Sequence, residues 1–303
     1  MKIMKILNFG SLNLDHIYRV EHFTGAKETQ ITEAPITIPG GKGLNESIAL
    51  ARAGAEVWQA GMIGEDGQML LDTLQKEGVH TEFVRIIPEK TGHAIVQVDI
   101  MGQNAVLQYG GANNCITEEF IDEVLEAFGE GDVILLQNQI SCLPQLIDKA
   151  HDKGMQIILK PSPYTDSLLK CDLSKVSMFL VNRTEGRSLT TFVQPGDMMI
   201  EFRTRYPHAN ILLTLAENGA FFVDKESSLY QPAIKMKEND TTGAGDVFIG
   251  FFLSSYLDGA PIQAAMERAA AASAISITRT GSASSTPTKE EVDELLKQIK
   301  KSK

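Results

Sequence analysis

Cysteine is scarce in this chain of 303 residues: Cys115, Cys142 and Cys171 lie far apart, and no C-x-x-C spacing occurs. That excludes a disulfide framework and a cysteine zinc site, and reduced thiols of a cytosolic protein are the expectation. Basic charge is also in short supply. Twenty-eight Lys and Arg stand against 39 Asp and Glu, a formal net charge of −11, and no run of Lys or Arg forms a stripe. Binding that tracks a nucleic-acid backbone is therefore not expected. Long apolar runs are missing too. The longest, around Phe248 to Leu253, falls far short of the ~20 residues of a membrane span. The amino-terminal stretch Met-Lys-Ile-Met-Lys-Ile-Leu-Asn leads straight into a strand pattern with no cleavage site behind it, so no signal peptide is expected. No internal repeat, linker or low-complexity tract interrupts the chain. Against these absences, hydrophobic residues make up 43%, and 25 glycines bring the apolar share to about half, the usual proportion in globular proteins. A chain of this length buries roughly three quarters of its unfolded surface and needs neither disulfide nor metal to fold. One domain, soluble and cytoplasmic, is the expectation.

Short β-type runs alternate with helical patterns. Ile6 to Gly10 reads as a first strand, Leu44 to Ala53 as a helix ended by Gly54, Val57 to Ile63 as a strand, and Gln68 to Lys76 as a helix ended by Gly78. Thr117 is placed to cap a helix with Glu118 and Glu119 in its first turn. Phe120, Ile121, Val124, Leu125 and Phe128 then recur at helical spacing, and Gly129 closes the helix. Val133 to Leu136, Gln156 to Leu159, Val176 to Val181 and Ile211 to Leu215 are continuous apolar runs, with a helix predicted from Leu143 to Lys153. Strands that are apolar throughout are buried on both faces, which predicts a parallel sheet covered by helices.

Two stretches, 15–38 and 91–110, break this rhythm. They are rich in Thr, Val, Ile and Tyr, alternate as in Ile95-Val-Gln-Val-Asp99, and have no helix between their strands. They predict a small antiparallel sheet made by two insertions. Such a sheet is not stable with a bare apolar face, so it must cover the mouth of the main sheet or a second subunit. Further on, Asp246 to Leu257 is apolar nearly all round and predicts a buried central helix. Ala264 to Ala274 is alanine-dense, which lets a backbone or a flat ligand come close. Val292, Leu295, Leu296 and Ile299 recur at helical spacing and predict a surface helix ending in lysines.

Three segments carry chemistry. In Asn239-Asp-Thr-Thr-Gly-Ala-Gly-Asp-Val-Phe248, Gly243 and Gly245 flank one small residue and a helix starts at once. A glycine turn opening a helix aims unpaired N–H groups and the positive dipole end at one point, which suits a phosphate. Asp246 in that turn is either an acidic cap or a general base facing a hydroxyl. The P-loop pattern is absent, and the dinucleotide pattern fails because the next glycine is Gly250. Pro39-Gly-Gly-Lys-Gly-Leu-Asn45 is a second glycine turn leading into a helix: either local geometry only, or a place where a ligand meets the backbone beside Lys42 and Asn45. Gly10-Ser-Leu-Asn-Leu-Asp15 stands where the first strand ends, and carboxyl ends of strands are where open α/β sheets bind ligands. Asn13 and Asp15 are either a solvated loop or a pair that holds vicinal hydroxyls.

Together these segments resemble the ribokinase-type (PfkB) carbohydrate kinases over essentially the whole chain. Gly10-Ser-Leu-Asn-Leu-Asp-His16 is similar to the first sugar motif of that family, and Gly40-Gly-Lys-Gly-x-Asn45 to its amino-terminal signature. Val181-Asn-Arg-Thr-Glu185 matches the N-x-x-E motif, and Asp240-Thr-Thr-Gly-Ala-Gly-Asp246 the carboxyl-terminal signature. The resemblance implies a three-layer αβα fold with a mostly parallel sheet and a small β-sheet lid. It implies a kinase moving the γ-phosphoryl group of ATP onto a primary hydroxyl, with Asp246 as base and the N–H groups of Gly243, Ala244 and Gly245 as anion hole. Asn13, Asp15, Gly41, Lys42, Asn45 and Gln139 would hold the sugar. Asn182 and Glu185 would place the phosphates and, indirectly, Mg²⁺, while Thr214, Glu217, Gly219 and Ala270 would border the nucleotide. Asp240, Thr242, Ser276, Arg279, Gly281 and Ser285 fall where members bind a monovalent cation, usually K⁺, several through backbone carbonyls.

Two departures bear on the substrate. Ribokinases show Gln-Leu-Glu after the strand that here ends Gln137-Asn-Gln139, so an amide replaces a carboxylate. The Asn-Pro-Ala-Pro of the family stands as Lys160-Pro-Ser-Pro163, which brings a cation to the strand ends, where it could touch the γ-phosphate, pair with Asp166 or receive a phosphorylated sugar. The leading expectation is phosphorylation of D-ribose to ribose 5-phosphate by a homodimer joined through its lid. A nucleoside kinase, a sugar-phosphate kinase and a non-catalytic sugar-binding regulator are the alternatives.

Overall fold

The computed structural model describes residues 4–301, so the first three residues of the amino-terminal stretch read above lie outside it. The chain begins β1 (Ile6–Phe9), β2 (Asn13–Arg19), β3 (Ile36–Gly40), α1 (Lys42–Arg52), β4 (Val57–Gly64), α2 (Gln68–Lys76) and β5 (His80–Ile87). It continues β6 (Gly92–Val98), β7 (Asn104–Tyr109), α3 (Glu118–Leu125), β8 (Val133–Gln137), α4 (Leu143–Asp152), β9 (Gln156–Lys160) and β10 (Met178–Asn182). It ends α5 (Arg183–Thr190), α6 (Pro195–Arg205), β11 (Asn210–Thr214), β12 (Ala220–Val223), β13 (Ser228–Gln231), α7 (Ala244–Leu257), α8 (Ile262–Ser276) and α9 (Lys289–Lys301).

The main sheet runs β13-β12-β11-β10-β9-β8-β1-β4-β5. Its strands are parallel from β11 to β5, and the β12–β13 hairpin adds an antiparallel edge. Alternate residues of each strand feed opposite faces. Leu135 and Leu212 join Leu44, Ile48, Phe251 and Ala269 on the face covered by α1, α7 and α8. Ile134, Leu136 and Leu213 join Phe120, Leu146 and Phe202 on the face of α3, α4 and α6. Helix, sheet and helix form three layers, as the continuous apolar strands require. Thr117 caps α3 by accepting from the Phe120 N–H, though that helix stops at Leu125 and Phe128 reaches the core from the turn beyond.

The second sheet, β3-β2-β6-β7, uses residues from both anomalous stretches. It is not wholly antiparallel: β2 pairs β6 in parallel, while β3 and β7 fold back as antiparallel partners. The reason is topological, since β2 and β6 follow two parallel strands, β1 and β5, out of the same edge of the main sheet.

Candidate active site

Asp246 lies in the first turn of α7 and is 7% exposed. Gly243 caps this helix with φ 75°, and a Cβ there would lie 2.9 Å from Ser282 Cα, so only glycine lets the turn rest on the 282 loop. The Ala244 N–H donates to the Thr241 carbonyl at 3.2 Å, so one of the three expected anion-hole donors is engaged within the turn.

Helix α1 meets α7 at this point. Gly41, φ 96°, admits the chain to α1 against Ser11, whose Oγ accepts from the Lys42 N–H at 3.1 Å. Asn45 Nδ2 then donates to Asp246 Oδ2 at 3.1 Å, while Asn45 Oδ1 is buried with no partner. The other oxygen of Asp246 is held by Lys160, at the carboxyl end of β9, whose ammonium also lies 2.7 Å from Glu46 Oε1. Burial works against charge on all three groups, and pairing decides the outcome. Burial alone would raise Asp246, yet the Lys160 and Lys42 ammoniums hold it below the ordinary carboxylate range. Burial alone would lower Lys160, yet the Asp246 and Glu46 carboxylates raise it. Glu46 is the residue whose burial wins: it stays above the ordinary range although Lys160 pulls it down. Lys160 pairs with Glu46 and Asp246 rather than with Asp166. Its one positive charge already faces two carboxylates.

The sugar-type residues gather at the starts of β2 and α1 and in the turn after β8. Asn13 Oδ1 accepts from Asn113 Nδ2 at 2.8 Å. Asp15 pairs with Ile38 across the strands, and its carboxylate reaches over Gly40, where a Cβ would come within 2.1 Å of it. Burial pushes Asp15 up to about 6, against the pull of Lys42. Gln139 bridges the two sheets: its Oε1 accepts from Ser11 Oγ at 2.6 Å and its Nε2 donates to Gln108 Oε1 at 2.9 Å.

On the other side of Asp246 is a chamber of about 210 Å³ lined by Lys42, Lys160, Asn182, Glu185 and Gly243. Thr214, Asn182 and Gly245 belong both to it and to a cleft of about 810 Å³ that Glu217, Gly219 and Ala270 also line. Asn182 and Glu185 form a capping box on α5, Asn182 Oδ1 accepting from the Glu185 N–H at 2.9 Å and Glu185 Oε2 accepting from the Asn182 N–H at 2.8 Å. The motif thus builds the helix start that borders the chamber. Gly219, φ 80°, lies against the Gln231 carbonyl, where a Cβ would come within 2.2 Å.

The cation-type residues gather around the 240 and 281 turns, with their side chains engaged. Asp240 accepts from the Thr242 N–H at 2.9 Å and the Gly281 N–H at 2.8 Å, and these bonds outweigh burial to keep its carboxyl below the ordinary range. Ser276 and Ser285 donate to the carbonyls of Ser273 and Ser282. The Arg279 guanidinium turns away to Glu291.

Glu46, Asn113 and Gln108 were not singled out by the sequence. For Glu46 there was a signal, the one acid in a helix stretch, 44–53, made mostly of small and apolar residues. Asn113 and Gln108 carry none, because their partners are about a hundred and about thirty residues away.

The sequence matches the pfkB family carbohydrate kinase pattern over residues 4–289. A ribokinase of Haemophilus influenzae is 30% identical over 299 residues, 95% of this chain and 96% of that protein. A deoxyribokinase of Salmonella typhi is 30% identical over 283 residues, 89% of this chain and 92% of that protein. The solved structure of Arabidopsis thaliana ribokinase complexed with ribose and ATP superposes with a TM-score of 0.84 at 26% identity, over 98% of this chain and 99% of that one.

Proposed function

The chain belongs to the pfkB family of carbohydrate kinases and is an ATP-dependent sugar kinase, and we propose that it transfers the γ-phosphoryl group of ATP to the 5-hydroxyl of D-ribose. The observation that carries this reading is the position of Asp246. It accepts from Asn45 of the amino-terminal motif while lining the chamber beneath the Gly243 turn, and it is kept ionised. In the step, the alcohol O–H bond breaks and its proton passes to Asp246. The bond from the sugar oxygen to phosphorus forms as the bond from phosphorus to ADP breaks, the electron pair leaving on ADP. N–H groups of Gly243 and Gly245 face the charge spread over the phosphoryl oxygens. Asn45 Oδ1, buried and unpaired, is ready to accept a sugar hydroxyl.

Magnesium fits as a companion of the nucleotide. No cluster of three acidic, His or Cys side chains forms a metal site among the described residues, so Glu185 would meet the ion through water. Bound there, the ion neutralises charge on the phosphate oxygens. For potassium, the engaged side chains leave main-chain oxygens near Asp240, Ser276, Arg279, Gly281 and Ser285 as the ligands that fit. In this reading the second sheet is the lid of a single-domain chain, formed by the insertions 15–38 and 91–110, and its apolar face seats a second copy. A phosphorylated sugar is disfavoured, because Lys160 is already matched by Glu46 and Asp246.

A coupled ADP-release assay over ribose, deoxyribose, fructose, tagatose, common nucleosides and hexose phosphates tests the reading. Ribose should give the highest kcat/KM, and exchange of potassium for tetramethylammonium should lower it. Asp246→Asn should still bind sugar and ATP while kcat falls at least ~100-fold. A better acceptor than ribose replaces the substrate, near-normal turnover of the Asn variant removes the base, and indifference to the cation removes its site.

A further inference from the structure

One buried charge has no part in the step just described. Lys160 is the last residue of β9, which is otherwise Gln-Ile-Ile-Leu, and its side chain is 8% exposed. It stands where the resembling family has Asn, a residue that cannot form an ion pair. Its anchor, Glu46, has no exposure at all and accepts from Gln137 Nε2 through Oε2 at 2.6 Å. Gln137 Nε2 also donates to Asn8 Oδ1 at 2.9 Å, and Asn8 Nδ2 donates to Ser47 Oγ at 2.9 Å. Ser47 Oγ donates in turn to Gln59 Oε1 at 2.7 Å. A continuous line of buried bonds therefore runs from β4 and β1 to the reacting carboxylate.

Packing does not require this arrangement. Taking an ammonium and two carboxylates out of water is costly, and apolar residues of similar volume would fill the same space as stably or more so. What the charges add is direction. We propose that Lys160 is a positioning residue for phosphoryl transfer: anchored by Glu46, its ammonium holds the Asp246 carboxylate in one orientation between Lys160 and Asn45, beneath the Gly243 turn. A carboxylate gripped at one oxygen can swing about its last torsion, whereas contacts on both oxygens fix its plane. The loose transition state of phosphoryl transfer gives alignment most of the work, and a misplacement near 1 Å is worth ~100-fold in rate. The polar and charged groups that face Asp246 are Lys160 from β9 and Lys42, Asn45 and Glu46 from α1; removing Lys160 leaves Lys42 as the one cation among them.

The proposal rests on the kinase reading, and its test separates the two. Lys160→Met leaves Glu46 buried without its cation and can unfold the chain, so Glu46→Gln/Lys160→Met is the working variant, with both ionisable groups removed. It should fold and keep KM for ribose and ATP close to the parent, while kcat drops ~100-fold. The acid limb of its kcat/KM profile should move to higher pH, because Asp246 has lost its nearest cation. A purely structural pair would move neither. A double variant with parental kcat and an unmoved acid limb overturns the proposal. A substrate-free readout accompanies it: thermal melts of Lys160→Met and Asp246→Asn, alone and combined in the Glu46→Gln background, should be strongly non-additive. Additive melts reject the hold on Asp246 even in an active enzyme, whereas a parent chain that phosphorylates no sugar rejects only the kinase reading.

Discussion

Two carboxylates of the candidate site are driven in opposite directions. Asp246 is held below the ordinary range by its cations, whereas burial pushes Asp15 up to about 6. Sugar hydroxyls that donate to Asp15 favour its charged form, so binding should lower that value and expel a proton. At pH 6 the release should be about half a proton per ribose bound, and should fade by pH 8. Calorimetry in buffers of different ionisation enthalpy measures it directly. Binding with no proton release at pH 6 would move the sugar off Asp15. The same shift has a sign for stability. The native state holds this proton more tightly than the unfolded chain, so Asp15 costs nothing below about pH 4 and its full penalty applies above about pH 6. Asp15→Asn should therefore raise the melting temperature at pH 8 while weakening ribose. Asp246, Asn45 and Asp15 were legible in the sequence because each stands in a short motif at a strand end or helix start. The ion pairs of Lys160 were not, because residues 46, 160 and 246 meet only in space.

At the level of elements, the site depends on how closely α1 and α7 approach. A Cβ on Gly250 would lie 2.4 Å from the Ala49 Cβ and 2.8 Å from the Ala49 carbonyl carbon. The starts of these two helices carry Lys42, Asn45 and Glu46 on one side and Asp246 on the other. Gly250→Ala should force them apart, costing ~1–3 kcal/mol of stability. It should also lower kcat although it touches no ligand, because the 3.1 Å bond from Asn45 to Asp246 spans the same contact. Urea unfolding with steady-state kinetics reads both, and unchanged values for both would show that the helices can slide without consequence. Most buried strands and amphipathic helices were legible from apolar runs and helical spacing. Those missed are short or poorly patterned, β12 and β13 having four residues each. β5 is a half-exposed edge strand with Thr, Glu and Arg between its apolar residues. α5, Arg-Thr-Glu-Gly-Arg-Ser-Leu-Thr, holds weak helix formers and depends on its capping box. α6 starts on a proline at its first position, a signal present in the sequence but unused.

For the whole molecule, a parallel sheet covered by helices follows from the alternation of apolar strands and helices, but the second sheet has no reason to be stable alone. The face that carries Asp15 and Gln108 continues outward as Ile17, Ile36, Val96 and Val106. Ile36 is 52% exposed and Val106 58% exposed. Exposed apolar surface of this kind marks a protein contact. A second copy seated there would bury Val106 and shield ribose from water without approaching the nucleotide cleft. The parent should therefore scatter light as twice its 33.1 kDa chain. Val106→Glu, at a site exposed in the single chain, should change the stability of the fold by less than ~0.5 kcal/mol. It should halve the scattering mass and raise KM for ribose while leaving KM for ATP alone, because Val106 lines neither of the cavities beneath the Gly243 turn. A parent that stays monomeric at assay concentrations, or a variant that dissociates with an unchanged ribose KM, would separate lid closure from self-association.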